Sequence, residues 1–481
     1  MAYLYGVSVH GIQEFIFKTN KLQEIVGASE IVKEIAEDFL IFSNYEKEHK
    51  NILLNAAGNI KAIFEDKESC GNVVKYFSKY IQQKAYGMTI SQAVIQIDKN
   101  TPTEDEFKEL DVALKTQRNR PSIPLDMSLN IMELNPTTAK PITDKEQKGE
   151  DKISLDKASK QKRETYLEWF RSQKIDKEDF EKSKELSYIS NGKNKIAVIH
   201  ADGNGLGELI PNLKEKLNIS LSNFSKKLDE ATREAFDEAK SSIKEIRKVI
   251  LGGDDLTVIC NANDALIFTE KFLKAFEEKT ENKLKNKLTA CAGIVYTNEK
   301  YPFHYAVSLA ETLCSESKKH AKKLREKEKL DFVPSSLMFH NIQSSNYQTW
   351  SKFVEDELTI TNDKYTIRCD FGPYYLNKDN EPLISDFLNT VAAYSCEGSP
   401  ISRLRNWLNE LSKSSNYSDD LLKRINEMAK RSSDWDSCIM EKNLKEFDKE
   451  LSNKKLIIEK DECKKTPIYD VLQILSVTEV K

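Results

Sequence analysis

The segment Arg247-Lys-Val-Ile-Leu-Gly-Gly-Asp-Asp-Leu-Thr-Val-Ile-Cys260 decides how this chain folds. Two apolar runs rich in β-branched residues flank its central Gly252-Gly-Asp-Asp255. Two such runs, separated by a short turn that contains glycine, predict a β-hairpin. Gly252 and Gly253 have no Cβ, so another group can approach the backbone closely at this turn.

Two adjacent carboxylates, Asp254 and Asp255, stand at the predicted tip of the hairpin. Carboxylates crowded at the ends of buried strands are costly unless a cation neutralises them, so the pattern indicates a divalent-metal site. Taken alone, a Gly-Gly-Asp-Asp turn is more often an ordinary solvated turn. The metal interpretation therefore depends on a further carboxylate elsewhere in the chain.

The composition is typical of a soluble, helix-rich globular protein. The chain has 481 residues, with 39% hydrophobic and 31% charged residues, and its formal net charge of −4 argues against a protein coated by nucleic acid. No apolar run approaches the ~18 residues that cross a bilayer. Met1–Phe17 has no basic segment typical of a targeting sequence, so we expect a cytoplasmic protein with no membrane partner. Its eight cysteines include no CxxC pair, which predicts neither a zinc knuckle nor a disulfide framework.

An order of predicted elements occurs twice along the chain. The first copy comprises a strand at 3–9, helices at 11–17 and 22–40, a hairpin at 51–64, a helix at 67–86 and a strand at 89–97. The second comprises a strand at 195–201, a helix within 218–245, the Gly-Gly-Asp-Asp hairpin, a helix at 263–280, a strand at 288–296 and a helix at 303–327. The order β-α-β-β-α-β predicts an α+β protein with two duplicated ferredoxin-like domains.

The remaining chain predicts a connecting segment and a C-terminal domain. We divide the sequence into residues 1–98, 99–194, 195–380 and 381–481. The polar, lysine-rich second part contains a predicted helix at 103–117, an extended piece at 128–134, and a charged run at 145–163 read as a solvated helix or flexible linker. From residue 383 to the end the pattern is helical, including 435–451, which predicts a helical domain.

Asp202 is the further carboxylate that the metal interpretation needs. It ends the first strand of the second copy, and in a β-α-β-β-α-β unit that strand neighbours the central hairpin. Three carboxylates at one sheet edge suit a pair of Mg²⁺ or Mn²⁺ ions, roughly 3.5–4 Å apart. The turn Gly203-Asn204-Gly205 that follows can offer backbone N–H groups to phosphates. Asn204 is equally interpretable as a turn or cap residue.

Two lysines on the last helix of the second copy are candidate phosphate ligands. Lys318 and Lys322 are four residues apart and share one helix face. Over a metal-bound triphosphate they would neutralise charge in the transition state. A lysine-rich helix end that is merely solvated is the equally simple interpretation.

At this point the sequence resembles the nucleotide-polymerising palm of the large subunit of type III CRISPR effector complexes, and more distantly the GGDEF diguanylate cyclases. The second copy carries three matching pieces: Val198-Ile-His-Ala-Asp-Gly-Asn-Gly-Leu-Gly207, Ile250-Leu-Gly-Gly-Asp-Asp-Leu256, and Ala310-Glu-Thr-Leu-Cys-Ser-Glu-Ser-Lys318, whose spacing matches the cyclase pattern ADxALYxAK. Gly11-Ile-Gln-Glu-Phe-Ile-Phe17 resembles the start of the first palm of that subunit.

The resemblance implies an enzyme that joins nucleoside triphosphates, with ATP as the expected substrate, into a cyclic oligonucleotide for antiviral defence. It implies two metals on Asp202, Asp254 and Asp255, and CRISPR-type subunits or RNA as partners through the C-terminal helical domain. One alternative is a structural subunit that binds nucleotide or RNA with little turnover. A diguanylate or mononucleotide cyclase is another, which the second Asp in place of Glu and the paired palms make less favoured.

Two departures from the family pattern affect the expected assembly. The family often begins with an HD domain, whereas the first palm starts here at residue 3, so we expect that nuclease activity to be missing. The family also commonly carries a cysteine-bound zinc element between its palms, yet residues 71–259 contain no cysteine. These departures favour a compact, stand-alone synthase over a subunit of an RNA-guided complex.

The first copy lacks carboxylates where the second has them. Its hairpin reads Ala56-Ala-Gly-Asn59, and His10 is aligned near Asp202. We expect a folded palm without metal, in which Gly11, Gln13, Gly58 and Asn59 contact the second nucleotide. The alternative is that this palm only packs against the other.

Overall fold

A computed structural model gives the fold of the chain. It describes all residues except 1, 47–48, 57, 100, 121–128, 130, 149–150, 173–184, 242, 244, 344–348, 362–365, 396–398, 430–455, 461–462 and 480–481. The predicted helix at 435–451 lies outside this description, as do residues 128 and 130 of the predicted extended piece at 128–134. The described residues of that piece do not form a strand, because they contain a turn and a bend, and Leu134 makes an isolated bridge to Pro141. Within the described helices, none is long and apolar enough to cross a membrane.

The first repeat is a four-stranded antiparallel sheet. Its strands are β1 (Ala2–His10), β2 (Ile52–Ala56), β3 (Asn59–Phe64) and β4 (Thr89–Ile97). The connecting helices are α1 (Ile12–Phe17), α2 (Leu22–Ser43) and α3 (Lys67–Lys84). The strand order β2-β3-β1-β4 is that of a ferredoxin-like domain, as the sequence predicted.

Helix α4 (Glu104–Arg118) covers the other face of this sheet. It begins with a capping box, in which the Thr103 side chain and Glu106 satisfy each other's backbone N–H groups. Leu110 of α4 is fully buried against Leu4 and Ile95. A Cβ on Gly6 would lie 2.9 Å from the Leu110 side chain, so this glycine allows the helix to approach. The sheet is therefore apolar on both faces.

The charged run at 145–163 is neither a solvated helix nor a linker, which corrects the sequence-based interpretation. It lies in a hairpin, β5 (Ile142–Lys148) and β6 (Asp151–Asp156), and in helix α5 (Lys157–Ser172), which packs on α2. Lys162 and Arg163 are 4% and 6% exposed. The Arg163 guanidinium donates to buried Glu24 at 2.8 Å, and the Lys162 ammonium donates to the Phe15 carbonyl. Paired in this way, the two cations can be buried.

The second repeat contains the same four-stranded unit. Its strands are β7 (Lys195–Gly203), β8 (Ile246–Gly252), β9 (Asp255–Asn261) and β10 (Ala290–Asn298). Its helices are α6 (Leu206–Leu209), α7 (Leu213–Lys216), α8 (Leu221–Lys240), α9 (Ala265–Leu284) and α10 (Phe303–Glu328). The strand order β10-β7-β9-β8 repeats that of the first sheet. The two predicted ferredoxin-like folds are therefore confirmed.

The rest of the chain extends the second sheet and adds further elements. Strands β11 (Ser336–Asn341) and β14 (Tyr374–Tyr375) join the second sheet beside β10. The others are α11 (Trp350–Asp356), β12 (Thr359–Thr361), β13 (Thr366–Arg368), α12 (Ile384–Tyr394), α13 (Ile401–Glu410), α14 (Ser415–Ala429), β15 (Ile458–Lys460), β16 (Cys463–Lys465) and α15 (Ile468–Val477). The C-terminal part is mainly helical, but it is not helical throughout, because β15 and β16 form a sheet with β12 and β13.

The two repeats pack against each other in a reciprocal way. Helix α2 of the first lies against β8 of the second, where the Ser29 hydroxyl donates to the Val249 carbonyl. Helix α8 of the second lies against β2 of the first. The start of α10 is also held by the first repeat, since the Phe303 N–H donates to Asn20 Oδ1 at 2.8 Å. Each repeat thus covers the hairpin edge of the other.

Candidate functional site

The predicted carboxylates do converge in the second repeat. One carboxylate oxygen from each of Asp202, Asp254 and Asp255 lies within 4.8 Å of the others. Strands β7 and β9 pair as far as Ala201 and Leu256, and the next step of that register sets Asp202 opposite Asp255. Neighbouring residues of a strand point to opposite faces of the sheet, which suggested that the Asp254 and Asp255 side chains would diverge. Asp254, however, lies in the turn before β9, where this alternation does not apply.

Close backbone packing fixes the position of Asp254. A Cβ built on Gly203 would lie 2.8 Å from the Asp254 Cβ, so only glycine fits at this point of β7. Gly253 adopts the left-handed conformation, with φ of 63°, which turns the chain at the hairpin tip. Replacing either glycine would move a carboxylate away from the cluster.

Helix α8 holds the hairpin tip, which the sequence reasoning missed. The Thr232 hydroxyl donates to the Gly253 carbonyl at 2.6 Å, and Asp229 Oδ1 accepts from the Gly253 N–H at 3.4 Å. Thr232 is fully buried on the face of α8 that packs on the sheet. A threonine within the apolar face of an amphipathic helix was the available signal, since a buried hydroxyl needs a partner.

The cluster concentrates negative charge. Burial, together with the Asp255 and Asp202 carboxylates, raises the pKa of Asp254 well above its usual value. Desolvation and the Asp202 carboxylate raise the pKa of Asp255 to about 6, although its side chain is partly open to solvent. A group of carboxylates that resists ionisation is one that a divalent cation would stabilise.

Lys318 belongs to this cluster and Lys322 lies beyond it. The Lys318 ammonium donates to Asp202 Oδ2 and, at 2.6 Å, to the Gly203 carbonyl. Burial alone would lower the pKa of Lys318, but the contact with Asp202 outweighs it and the pKa is raised. Lys322 is exposed one helical turn further along α10. Lys318 is therefore already placed at the candidate metal site.

The turn after Asp202 separates into a buried and an open part. Asn204 is 4% exposed, and its amide donates to Thr289 Oγ1 at 3.1 Å and to Cys291 Sγ at 3.4 Å. These contacts favour the interpretation of Asn204 as a turn residue, because they anchor the turn to β10. Gly205 has φ of 75° and open space where a Cβ would stand.

The candidate residues of the first repeat lie at the equivalent edge of its sheet. Gly58 is buried, and a Cβ there would lie 2.9 Å from Ile12 Cδ1. Asn59 Oδ1 accepts from the Ser8 hydroxyl at 2.8 Å. Gly11 is exposed in the left-handed conformation with φ of 70°, at the start of α1.

The strand register corrects the alignment of His10 with Asp202. Ala56 pairs with Asn59 as Gly252 pairs with Asp255, so the two hairpins are equivalent. Ser8 then lies opposite Asn59, and Ser8 rather than His10 occupies the position of Asp202. Within the described parts of the chain, the carboxylates of the second repeat are the one group of three or more acidic, His or Cys side chains close enough to share a metal.

Gln13 of the first repeat reaches the second. Burial raises the pKa of Glu311 on α10, and the Gln13 side chain lies close enough to offset part of that rise. Glu311 is close enough to Asp255 to contribute to the raised pKa of that group. The sequence motif that begins at Gly11 therefore adjoins the carboxylate cluster through one intervening side chain.

Comparison with known proteins agrees with this geometry. Residues 195–330 match the family model described as Cas10/Cmr2, second palm domain. The predicted resemblance to the large subunit of type III CRISPR complexes is thereby confirmed. The matched residues include Asp202, Asp254, Asp255 and Lys318. No curated protein matches the chain.

Solved structures of similar fold come from CRISPR-Csm complexes. A Csm1-Csm4 cassette in complex with AMPPNP aligns over 99% of this chain and 70% of its own, with 12% identity and a TM-score of 0.55. The cassette in complex with cA3 aligns over the same shares, with 12% identity and a TM-score of 0.53. With pppApA, 66% of this chain aligns at 13% identity and a TM-score of 0.44. In that alignment this chain spans about half, 53%, of the matched chain.

Proposed function

We propose that the protein is a metal-dependent nucleotidyltransferase that condenses nucleoside triphosphates, with ATP as the substrate, into a cyclic oligonucleotide messenger of antiviral defence. The observation that carries this proposal is the approach of Asp202, Asp254 and Asp255 within 4.8 Å inside the segment that matches the Cas10/Cmr2 palm. AMPPNP and cA3 are ligands of the Csm1-Csm4 structures, and they indicate which class of ligand to test here.

The donor set fits two hard cations. Carboxylate oxygens are the ligands that Mg²⁺ and Mn²⁺ prefer, and the raised pKa values of Asp254 and Asp255 reflect negative charge that a cation would neutralise. Cations bound there would activate the attacking hydroxyl and stabilise the leaving pyrophosphate. A cation held by Asp202 would replace its contact with Lys318, which would leave the Lys318 ammonium available to the phosphates.

The reaction joins two nucleotides through one phosphodiester bond. The 3′-oxygen of an acceptor attacks the α-phosphorus of a donor, the new P–O bond forms, and the bond to pyrophosphate breaks. The attack requires both nucleotides to be held in line, within ~3–3.5 Å. Hydrolysis is avoided only if the acceptor hydroxyl, rather than water, occupies the position opposite the leaving group.

We place the acceptor nucleotide against the first palm. Its sheet edge lacks carboxylates and cannot hold the metals, but α1 lies beside α10 and brings Gln13 to Glu311. Gly11 is open at the start of α1, whereas Gly58 is buried and Asn59 is engaged by Ser8. Gly11 and Gln13 are therefore the better supported acceptor contacts. Gly58 and Asn59 would contribute through their backbone or after rearrangement.

A subunit partner is a further part of the proposal. The similar solved chains occur in cassettes with Csm4, so we propose a CRISPR-type subunit as the partner of this protein. Co-expression with such a subunit, followed by size-exclusion chromatography, tests it. RNA is the second candidate partner, and its addition belongs in every activity measurement.

Incubation of the purified full-length protein with each nucleoside triphosphate tests the function. Reactions contain Mg²⁺ or Mn²⁺, with and without RNA and the partner subunit, and mass spectrometry identifies the products. We expect cyclic oligoadenylate and pyrophosphate from ATP, and none from the Asp254→Asn variant. Binding of ATP without any phosphodiester product under all these conditions would support the structural-subunit alternative instead.

A further inference from the structure

A row of cations runs along one face of α10, away from the carboxylate cluster. Lys318, Lys322 and Arg325 occupy positions i, i+4 and i+7, which share a helix face. At ~1.5 Å of rise per residue the row extends about 10 Å. Its first member contacts Asp202, so the row starts at the candidate metal site. Its last member lies beyond the residues assigned to the reaction so far.

The far end of the row meets the chain that follows Asp202. Arg325 makes two bonds with the Glu208 carboxylate, from Nη1 at 3.2 Å and from Nη2 at 3.3 Å. Lys322 and Lys216 are also close enough to stabilise the charged form of Glu208, so they contribute with Arg325 to its lowered pKa. Three cations therefore surround one carboxylate, which leaves an excess of positive charge.

The balance of exposure shows which groups a ligand can reach. The Glu208 side chain is 64% exposed, whereas the Arg325 side chain is 24% exposed and held against the protein. Lys322 and Lys216 are both exposed. An exposed ion pair contributes little to stability, so Glu208 can leave Arg325 at small cost. A planar guanidinium that binds a carboxylate with two bonds binds a phosphate in the same way.

We propose that Lys216, Lys322 and Arg325 form a subsite for the terminal phosphate of the nucleoside triphosphate, which Glu208 fills until the nucleotide binds. This inference rests on the proposed function, because it assumes that the α-phosphate lies at the Asp202 cluster. The terminal phosphate then points along α10, displaces Glu208 and pairs with Arg325. The subsite discriminates a triphosphate from a monophosphate, and it also holds the 5′-triphosphate of a linear intermediate.

Binding measurements on four proteins test this subsite: the wild type and the variants Arg325→Ala, Glu208→Gln and Lys323→Ala. Lys323 is the matched control, since it is an exposed cation on the opposite side of α10 from Arg325. Isothermal titration with a nonhydrolysable ATP analogue and with AMP, both in Mn²⁺, gives the affinities. Thermal melting shows whether each variant remains folded.

We expect Arg325→Ala to weaken binding of the ATP analogue about tenfold and to leave binding of AMP unchanged. Glu208→Gln removes the competing charge and should strengthen binding of the analogue about threefold. Lys323→Ala should stay within about twofold of wild type. The subsite is overturned if Arg325→Ala binds the ATP analogue as tightly as Lys323→Ala does, or if Arg325→Ala loses affinity for AMP and for the analogue equally. It is also overturned if Glu208→Gln binds the analogue more weakly than wild type, or if wild type does not bind the analogue. Failure of the proposed function gives a different result: the protein binds the ATP analogue in preference to AMP, but it forms no phosphodiester product from ATP.

Discussion

The two repeats have the same strand order and the same hairpin register, yet they differ at the three positions that a cation would need. In the second repeat these positions are acidic: Asp202, Asp254 and Asp255. In the first they are neutral: Ser8, Gly58 and Asn59. Because the folds match, the difference lies in side chains and not in architecture. One palm concentrates charge that a metal relieves, and the other keeps a neutral Ser8–Asn59 hydrogen bond at the same edge.

The largest expected effect is the loss of turnover when a carboxylate of the second palm is removed. Asp202→Asn or Asp254→Asn keeps the side-chain size but removes charge from the metal site, so product formation should fall by about 10³-fold or more. Quantified product under saturating ATP and Mg²⁺ is the measurement. Ser8→Ala, at the position of the first palm equivalent to Asp202, is the control. Equal losses in both palms would remove the distinction between them.

A smaller effect is expected at the contact between the palms. Gln13→Ala should slow formation of the first dinucleotide about tenfold, because it disturbs the acceptor, while affinity for a single ATP analogue stays unchanged. Single-turnover rates and equilibrium binding, measured side by side, separate the two steps. Glu14→Ala, its exposed neighbour, provides the control. A loss of donor binding in Gln13→Ala would place Gln13 in the donor site.

The phosphate contacts should show a graded response. Lys318→Ala and Lys322→Ala should each weaken triphosphate binding by roughly three- to tenfold, with Lys318 the more sensitive because it adjoins Asp202. Melting temperatures should change little for Lys322, which is exposed. Lys319→Ala serves as the comparison, since Lys319 pairs with Glu316 on the helix surface. Unchanged affinity in both variants would return these lysines to a solvated helix face.

The smallest effect concerns stability without metal. The raised pKa values of Asp254 and Asp255 mean that the folded protein holds protons that the unfolded chain has released above pH ~4. The free energy of unfolding should therefore fall as the pH rises from about 4 to 7. Asp254→Asn should flatten this fall and raise the melting temperature at pH 8 by on the order of 2 °C. Asn59→Ala, at the position of the first palm equivalent to Asp255, should leave the slope unaltered.

Local pattern was sufficient for the sheets and for the acidic site. The predicted strand at 89–97 has the ends observed for β4, and the order of elements predicts that Asp202 lies beside the hairpin, as the structure shows. Both inferences need only neighbouring residues and the topology of one common unit. The alignment of His10 failed because register depends on which residues pair across strands, and a shift of two residues preserves the sheet face.

Burial that depends on distant partners was not predictable from local pattern. Lys162 and Arg163 belong to a strongly charged run, and their burial depends on Phe15 and Glu24 more than a hundred residues earlier. In the same way, β16 pairs with β13 across a long sequence separation, so a short polar strand was read as helix. The Arg325–Glu208 pair likewise joins residues far apart in the chain.

The most direct test of the difference between the palms is a structure determined with a nonhydrolysable ATP analogue and Mn²⁺, in which anomalous scattering locates the metal. We expect manganese coordinated by Asp202, Asp254 and Asp255, no manganese at Ser8 or Asn59, and a second nucleotide near Gln13. Manganese at the first palm, or none at the second with the analogue bound, would contradict the assignment of the catalytic metals to the second palm. Nucleotide confined to the Gly-Gly-Asp-Asp hairpin, with the first palm turned away, would contradict the proposed acceptor site.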